Sequence, residues 1–293
     1  MCQKLRIRVA SRIHAGTLRV ATVAIVESVV ARQLGSAPQV QNPPWLVVPC
    51  FNEALRLDER AFTDLALAGD VRLLFVDDGS PDATPQVLDA LCARLPGRAE
   101  WLKLDKNSGK AEAVRQGLLQ AMERGAQEVG FLDADLSTPP SELRRLLEIL
   151  HARPEVEVLI GARVRLLGNA VERKAIRHYL GRVFATAASF ALALNIYDTQ
   201  CGAKLFRVTP ALRAAVAEPF VSRWIFDVEL LGRLAWGGPD AAPLPESAFA
   251  EVPLLVWHDV AGSKLRPGHF VRAAGDLAQI WLRLRARQTR RGG

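Results

Sequence analysis

The sequence has only four cysteines in 293 residues, Cys2, Cys50, Cys92 and Cys201, and no pair has the spacing of a CxxC metal or redox motif. Thiols this few and this scattered suit a reducing compartment. GxGxxG and GxxxxGK[ST] are both missing, which argues against a dinucleotide dehydrogenase and a P-loop NTPase. Also missing is an apolar run of the ~20 residues that a membrane-spanning helix needs. The longest candidate, residues 183–194, is too short. The apolar run at 20–26 is bracketed by Arg19 and Glu27, which is unlike a secretory signal. Lysine is scarce as well, 7 against 31 arginines, and arginine is the better bidentate ligand for phosphate. No internal repeat is found.

What is present is an ordinary soluble balance, 49% hydrophobic and 24% charged, long enough for one large domain or two small ones. The net charge of +7 is unevenly spread: residues 1–40 carry +5, 163–182 carry +5, 264–293 carry +7, and the remainder carries −10. An acidic body with three basic segments points to a local anionic partner such as a phosphate-bearing surface, although solvated helix faces account for part of the bias. Residues 1–44 are basic and end in the linker-like GSAPQVQNPP, so they read as an extension separate from the fold, either a targeting segment or a start-site artefact.

From Trp45 the chain alternates. Strand-like runs at 45–48, 71–76, 100–104, 128–132 and 156–160 are separated by helix-period segments at 53–68, 84–95, 109–125 and 140–152. This pattern predicts an α/β fold with a mostly parallel central sheet flanked by helices. Thr84 before Pro85 and Thr138 before Pro139 read as hydroxyl caps ahead of a first-turn proline. Later segments predict helices at 172–194, 225–235 and 269–287, a loop at 237–247 and a strand at 251–257.

In parallel α/β sheets ligands bind beyond the carboxyl ends of the strands. Here those ends carry Pro49-Cys50-Phe51-Asn52-Glu53, Asp77-Asp78-Gly79-Ser80 and Asp133-Ala134-Asp135. Acidic residues ending successive strands repel one another unless a cation or hydrogen-bond donors stand between them. Asp-x-Asp after a strand suits Mg²⁺ or Mn²⁺ bridging carboxylate to diphosphate, and the same three residues also suit a capped turn. Asn107-Ser108-Gly109-Lys110 reads either as a plain helix start or as a phosphate-facing N-terminus with a lysine.

Taken in order, PCFNE, VDDGS, NSGKAEAVRQG and DADLSTPP resemble the glycosyltransferase family 2 enzymes of the GT-A fold. The resemblance runs from about Trp45 to Leu284. Gly161-Ala162-Arg163, DTQCGAKLF at 198–206, RWIFDVELL at 223–231 and GSKL at 262–265 are similar to the dolichyl-phosphate β-glucosyltransferases. The mannosyl-transferring relatives carry distinguishable versions of these blocks. Three departures stand out: no N-terminal membrane anchor of the eukaryotic kind, Phe51 where many relatives have Tyr, and Ala203 where Phe is usual. Phe51 keeps an aromatic face, whereas Ala203 bears on the acceptor-side fit.

The resemblance implies a catalytic domain over 45–290, with a nucleotide-sugar half at 45–161 and an acceptor-side half at 162–290. It assigns Pro49, Phe51, Glu53, Asp78, Lys110, Asp133, Ala134 and Asp135 to the nucleotide sugar. Asp135 would be the main ligand of Mg²⁺ or Mn²⁺, with Asp133 and Ser137. Arg163, Asp198, Gln200 and Lys204 would surround the sugar and the acceptor phosphate. Arg173, Arg177, Arg223, Ser263 and Lys264 are acceptor-phosphate candidates. Asp227 and Glu229 would contact sugar hydroxyls or acceptor-side cations, or pair locally.

The implied reaction is inverting transfer of a hexose, glucose from UDP-glucose, to a dolichyl or undecaprenyl phosphate. An acceptor already anionic needs no strong base, so catalysis is positioning plus charge neutralisation. Alternatives are another donor such as GDP-mannose, and a soluble hydroxyl acceptor served by Asp198 or Asp227 as base. A processive synthase is disfavoured, since QxxRW appears only as Phe220-Val221-Ser222-Arg223-Trp224. From a different class, a non-catalytic membrane- or nucleic-acid-binding protein would use the basic segments; no nucleic-acid partner is expected for the enzyme. The expected location is the cytoplasmic face of a membrane, held peripherally. There the basic start of 172–194 and the terminal helix, with Phe270, Val271, Leu277, Ile280, Trp281, Leu282 and Leu284 beside Arg272, Arg283, Arg285 and Arg287, would lie among headgroups. The same helices suit packing on the sheet or a dimer interface.

Overall fold

The computed structural model describes residues 42–164, 169–171, 186–189, 192, 194–259 and 268–292. Two units divide the chain, Met1–Val40 and Gln41–Gly293, and all described residues belong to the second. Arg173, Arg177, Ser263 and Lys264 lie outside the described residues. So does most of the predicted helix at 172–194, of which residues 186–189 are helical.

Apolar runs form parallel strands, buried on both faces except at the half-exposed edge strand β3: β1 (Trp45–Cys50), β2 (Arg72–Asp77), β3 (Ala99–Lys103), β4 (Glu128–Leu132) and β5 (Val158–Ala162). Four helices follow the first strands in turn: α1 (Glu59–Ala68), α2 (Thr84–Ala93), α3 (Lys110–Glu123) and α4 (Pro140–Ala152). The second half adds β6 (Ala170–Val171), β7 (Ala203–Arg207), α5 (Pro210–Ala217), α6 (Phe226–Trp236), a short 3₁₀ turn, β8 (Phe249–Pro253), β9 (Val256–Trp257) and α7 (Gly268–Gly292). The main sheet has the order β3-β2-β1-β4-β7-β5-β8, and β6 pairs with β9 apart from it. β7 alone runs antiparallel to its neighbours, β4 and β5, while β5 and β8 are parallel. This is the mostly parallel, helix-flanked sheet that the sequence pattern predicts.

Side chains alternate between two cores. Val47, Leu74, Val76, Phe131, Phe206 and Phe226 pack on the α3 and α6 side. Leu46, Val48, Phe62, Leu73, Phe75 and Leu205 pack on the α1, α2 and α4 side. Each such side chain, fully buried, contributes about 1.5–3 kcal/mol. α3 lies so close to β1 that a Cβ on Gly117 would stand 2.4 Å from Val47.

Several boundaries differ from the sequence reading, each for a local reason. The helix expected from 53 begins at Glu59, because Asn52 takes a left-handed turn (φ 54°) and Asp58 caps the helix by accepting from Ala61 N–H. Thr84 does not cap its own helix; its hydroxyl serves the β1 exit loop instead. Thr138 sits one residue too early to cap α4, whose N-cap position is Pro139. The hydroxyl cap is found at Thr209, ahead of Pro210. The strand expected at 251–257 splits into β8 and β9 around Leu254 and Leu255. Strand β7 sits inside the DTQCGAKLF block, where the motif concealed it. Ala203 is buried in the α4-side core opposite Leu132, so its small side chain is a matter of core volume rather than acceptor fit.

On the far side, α7 packs along α6. Ile280 and Leu284 are buried, and a Cβ on Gly232 would meet Leu284 at 2.4 Å. Asp276 accepts from the Ser222 hydroxyl at 2.6 Å, and Arg287 pairs with Glu218. The expected headgroup-facing set is therefore divided: Ile280 and Leu284 face inward, while Leu282 stays 59% exposed.

Candidate active site

The carboxyl edge of the sheet gathers the acidic motifs, and the structure supplies the donors their repulsion requires. At the end of β1, Asn52 N–H donates to Ser80 Oγ (3.0 Å), and Glu53 and Ala54 N–H both donate to Thr84 Oγ1 (2.9 and 3.1 Å). Thr84 in turn donates to Asp82. This fixes the loop carrying half-buried Phe51 and buried Glu53, with Pro49 partly exposed in the strand before it.

At the end of β2, Asp77 accepts from Ser80 N–H, and Asp78 takes Ser108 N–H on one oxygen (2.6 Å) and Gly109 N–H on the other (2.8 Å). Burial pushes the Asp78 carboxyl above its ordinary range, against the pull of those two amides and of Arg223. Arg223 clamps the same loop from outside, donating to Ser108 O (2.8 Å) and Asn107 O (2.7 Å). Gly109 permits this at φ 96°, since a Cβ there would lie 2.8 Å from Arg223 Nε. Thus Asp78 and Arg223 both organise the 107–109 loop.

At the end of β4, Lys110 Nζ lies 2.5 Å from Asp133 Oδ1. Burial opposes the Lys110 charge, but Asp133, Asp227 and Asp135 outweigh it and raise its pKa above the ordinary lysine value. Asp133 N–H donates to Gly202 O, and a Cβ on Gly202 would fall 2.1 Å from Asp133 Oδ2. Asp135 accepts from Ser137 N–H at 3.0 Å, and Leu136 holds a left-handed φ of 50° between them. Ala134 and Ser137 are buried. Ser137 O accepts from His258 N–H (2.9 Å), tying this turn to the segment after β9.

At the end of β5, Arg163 forms a fork to Asp198, Nε–Oδ2 2.7 Å and Nη2–Oδ1 2.8 Å, with its own N–H donating to Oδ2 as well. Burial opposes the guanidinium charge and Asp198 more than offsets it, so the pKa lies above the ordinary arginine value. Arg163 also stands 5.5 Å over the Trp257 ring. Glu251 on β8 orients the pair by accepting from Tyr197 N–H (2.8 Å) and Asp198 N–H (2.6 Å). Gln200 N–H donates to Asp198, and its buried side-chain Nε2 has no hydrogen-bond partner among the described residues.

Lys204 is placed differently from its expected role. It has no exposed surface; its ammonium donates to Cys201 O and Asp227 Oδ1, both at 2.6 Å. It underpins the site and does not face it. Glu229 is buried too, accepting from Val221 N–H and from Arg233. Sequence reasoning missed Glu251, Thr84 and Gly202 as organisers. Glu251 is recognisable only once β8 is known, as an acid on a strand otherwise bound for the core.

Two carboxylates of hard oxygen donors at one strand end fit Mg²⁺ or Mn²⁺, with Asp135 Oδ2 uncommitted among the described residues. Among the described residues no group of three or more His, Cys, Asp or Glu is assembled there, so water and a diphosphate would complete the shell, as this cation class prefers.

The family model for "Glycosyl transferase family 2" matches residues 45–212, which span every strand end just described except those after β8 and β9. The chain belongs to glycosyltransferase family 2. Among its relatives, a dolichyl-phosphate β-glucosyltransferase of Drosophila melanogaster is 33% identical over 84% of this chain and 78% of its own. One from Homo sapiens is 31% identical over 81% and 74%. A polyprenol monophosphomannose synthase of Mycolicibacterium smegmatis is 27% identical over 77% and 83%. Among solved structures, glucosyl-3-phosphoglycerate synthase of Mycobacterium tuberculosis, in complex with Mn²⁺, UDP-glucose and phosphoglyceric acid, shares the fold at TM-score 0.61 with 17% identity, over 84% of this chain and 80% of that one.

Proposed function

We propose that the enzyme transfers glucose from UDP-glucose to a polyprenyl phosphate with inversion. The observation that carries this is the pairing of a diphosphate-type edge, Asp133, Asp135 and Lys110, with the Arg163–Asp198 fork one strand-end away in a chain about 30% identical to dolichyl-phosphate β-glucosyltransferases. Asp133 and Asp135 would hold Mg²⁺ or Mn²⁺, which supplies Lewis-acid neutralisation of the leaving diphosphate. Lys110 adds a positive charge beside that diphosphate. The 52–54 and 107–109 loops, pinned by Thr84 and Asp78, form the nucleotide wall. Gln200 aims an unpartnered donor at the sugar side, and Arg163 holds a guanidinium near the acceptor phosphate.

A phosphate monoester carries about −1.5 to −2 charge at neutral pH, so an acceptor oxygen attacks without giving up a proton. The new bond forms at the sugar C1 as the C1–O bond to UDP breaks and its electron pair leaves with UDP. In-line attack converts the α-linked donor to a β-linked product. Asp198, committed to Arg163 on both oxygens, is poorly suited as a base, which favours a phosphate over a hydroxyl acceptor.

Membrane docking at the cytoplasmic face is part of the proposal. Among the described residues no helix is long and apolar enough to cross a membrane. Trp224 and Leu282 are 47% and 59% exposed, with Arg283 and Arg285 beside Leu282. Such a surface supports peripheral contact. The decisive assay supplies radiolabelled UDP-glucose or GDP-mannose with polyprenyl phosphate. Glucose label in the organic phase, lost with chelator, is expected. Preference for GDP-mannose moves the enzyme to the mannosyl branch, and label confined to the aqueous phase removes the lipid acceptor.

A further inference from the structure

Lys110 and Lys204 both face the Phe131 ring, at 5.9 and 5.1 Å from its centre, yet only one of them can move. Lys204 is sealed at 0% exposure against Asp227, whereas the side chains of Lys110 and Asp133 keep 27% and 35%. Asp133 packs its carboxylate against Gly202, where a Cβ would stand 2.1 Å from Oδ2, and Lys110 occupies Oδ1 of the same group. An arriving divalent cation and the lysine ammonium thus contend for one carboxylate. We propose that Lys110 is the resident counter-ion of Asp133: it holds the carboxylate before the donor arrives, yields it to the divalent cation, and turns its ammonium to the diphosphate delivered with that cation.

The arrangement makes metal binding weak in the free enzyme and couples it to donor entry. A cation alone must displace Lys110 into solvent, whereas a cation with a diphosphate gives the displaced ammonium a new anion. Asp135, the other carboxylate of the pair, needs no such exchange, because its protein partner is a backbone amide on Oδ1. The inference rests on the metal-assisted reading above.

Mn²⁺ titration of the full chain, read by electron paramagnetic resonance with and without UDP, tests it on the wild type, Lys110→Met, Lys110→Gln, Lys110→Arg and Asp135→Ala. Without UDP, Lys110→Met and Lys110→Gln should bind Mn²⁺ about fivefold more tightly than wild type, as removal of a half-exposed competing ion pair allows. Lys110→Arg, which keeps the charge, should stay near wild type. With Mn²⁺ present, Lys110→Met should bind UDP about tenfold more weakly. Unchanged or weaker Mn²⁺ affinity in both neutral variants, with binding still lost in Asp135→Ala, overturns the counter-ion role and leaves the metal site standing. Mn²⁺ binding that survives Asp135→Ala, or none in any chain even with UDP, overturns both.

Discussion

Gly202 makes the room in which Asp133 is held. Its missing side chain lets the segment before β7 lie against the carboxylate, and a methyl there would sit 2.1 Å from Oδ2. Backbone and a fixed strand end cannot yield, so Gly202→Ala should rotate Asp133 away from Lys110. We expect kcat/KM to fall about 100-fold, because misplacement of about 1 Å in a positioned group costs that much, while thermal unfolding shows the chain still folded. Asp135→Ala should be harsher, with turnover lost about 100-fold or more, and excess Mn²⁺ should not restore it. Full turnover in that variant would remove Asp135 from the metal reading. At this scale the sequence was readable in part. Asp133, Asp135 and Lys110 announce themselves by pattern, and so does the Arg163–Asp198 pair once the family is seen. Gly202 and Glu251 do not, since one acts through absence and the other through backbone amides.

Elements were legible where the apolar period was long and obscure where side chains work across the chain. β4 and α4 fall where the pattern puts them. β7 escaped because its short run alternates a buried lysine with core residues, Lys204 being tolerated only by its bonds to Asp227 and Cys201 O. Thr84 looked like a cap by its neighbour Pro85, yet its hydroxyl crosses to another element. Thr84→Val removes the acceptor for Glu53 and Ala54 N–H while keeping α2's proline start. A buried donor left without its acceptor costs about 1–3 kcal/mol, so a lower midpoint in urea is expected, together with weaker UDP binding measured calorimetrically. An unchanged UDP affinity would separate this loop from the nucleotide wall.

Across the whole molecule, the described thiols titrate with folding. Burial pushes Cys92 up to about 12, with Asp89 and Glu100 adding to it, and pushes Cys201 up to about 11, with Asp198 adding to it. Cys50 is raised as well, first by burial. A raised thiol pKa favours the folded state while the unfolded thiol is protonated. That stability is fully present below about 8.5 and is lost as pH climbs toward the folded values. Unfolding midpoints should therefore fall between pH 9 and 11, beyond any change in a variant with Cys50, Cys92 and Cys201 replaced by Ala. At neutral pH a Cys2→Ser chain should react slowly with thiol reagents until denatured. Deleting residues 1–40 should leave unfolding cooperative and Mn²⁺ binding unchanged, as β1 begins at Trp45.

The place of β5 in the sheet has a consequence during synthesis. Its hydrogen-bonded neighbours, β7 and β8, start at Ala203 and Phe249, far downstream of Ala162. At about 5–20 residues per second the ribosome leaves this strand without partners for seconds. Val158–Ala162 is apolar along its length and buried in the finished enzyme, so the nascent chain exposes a sticky edge until its second half emerges. The segments before and after residue 162 thus complete one sheet and mature together. A chaperone that covers exposed apolar strands has its natural client here, in the interval before Pro253 clears the exit tunnel.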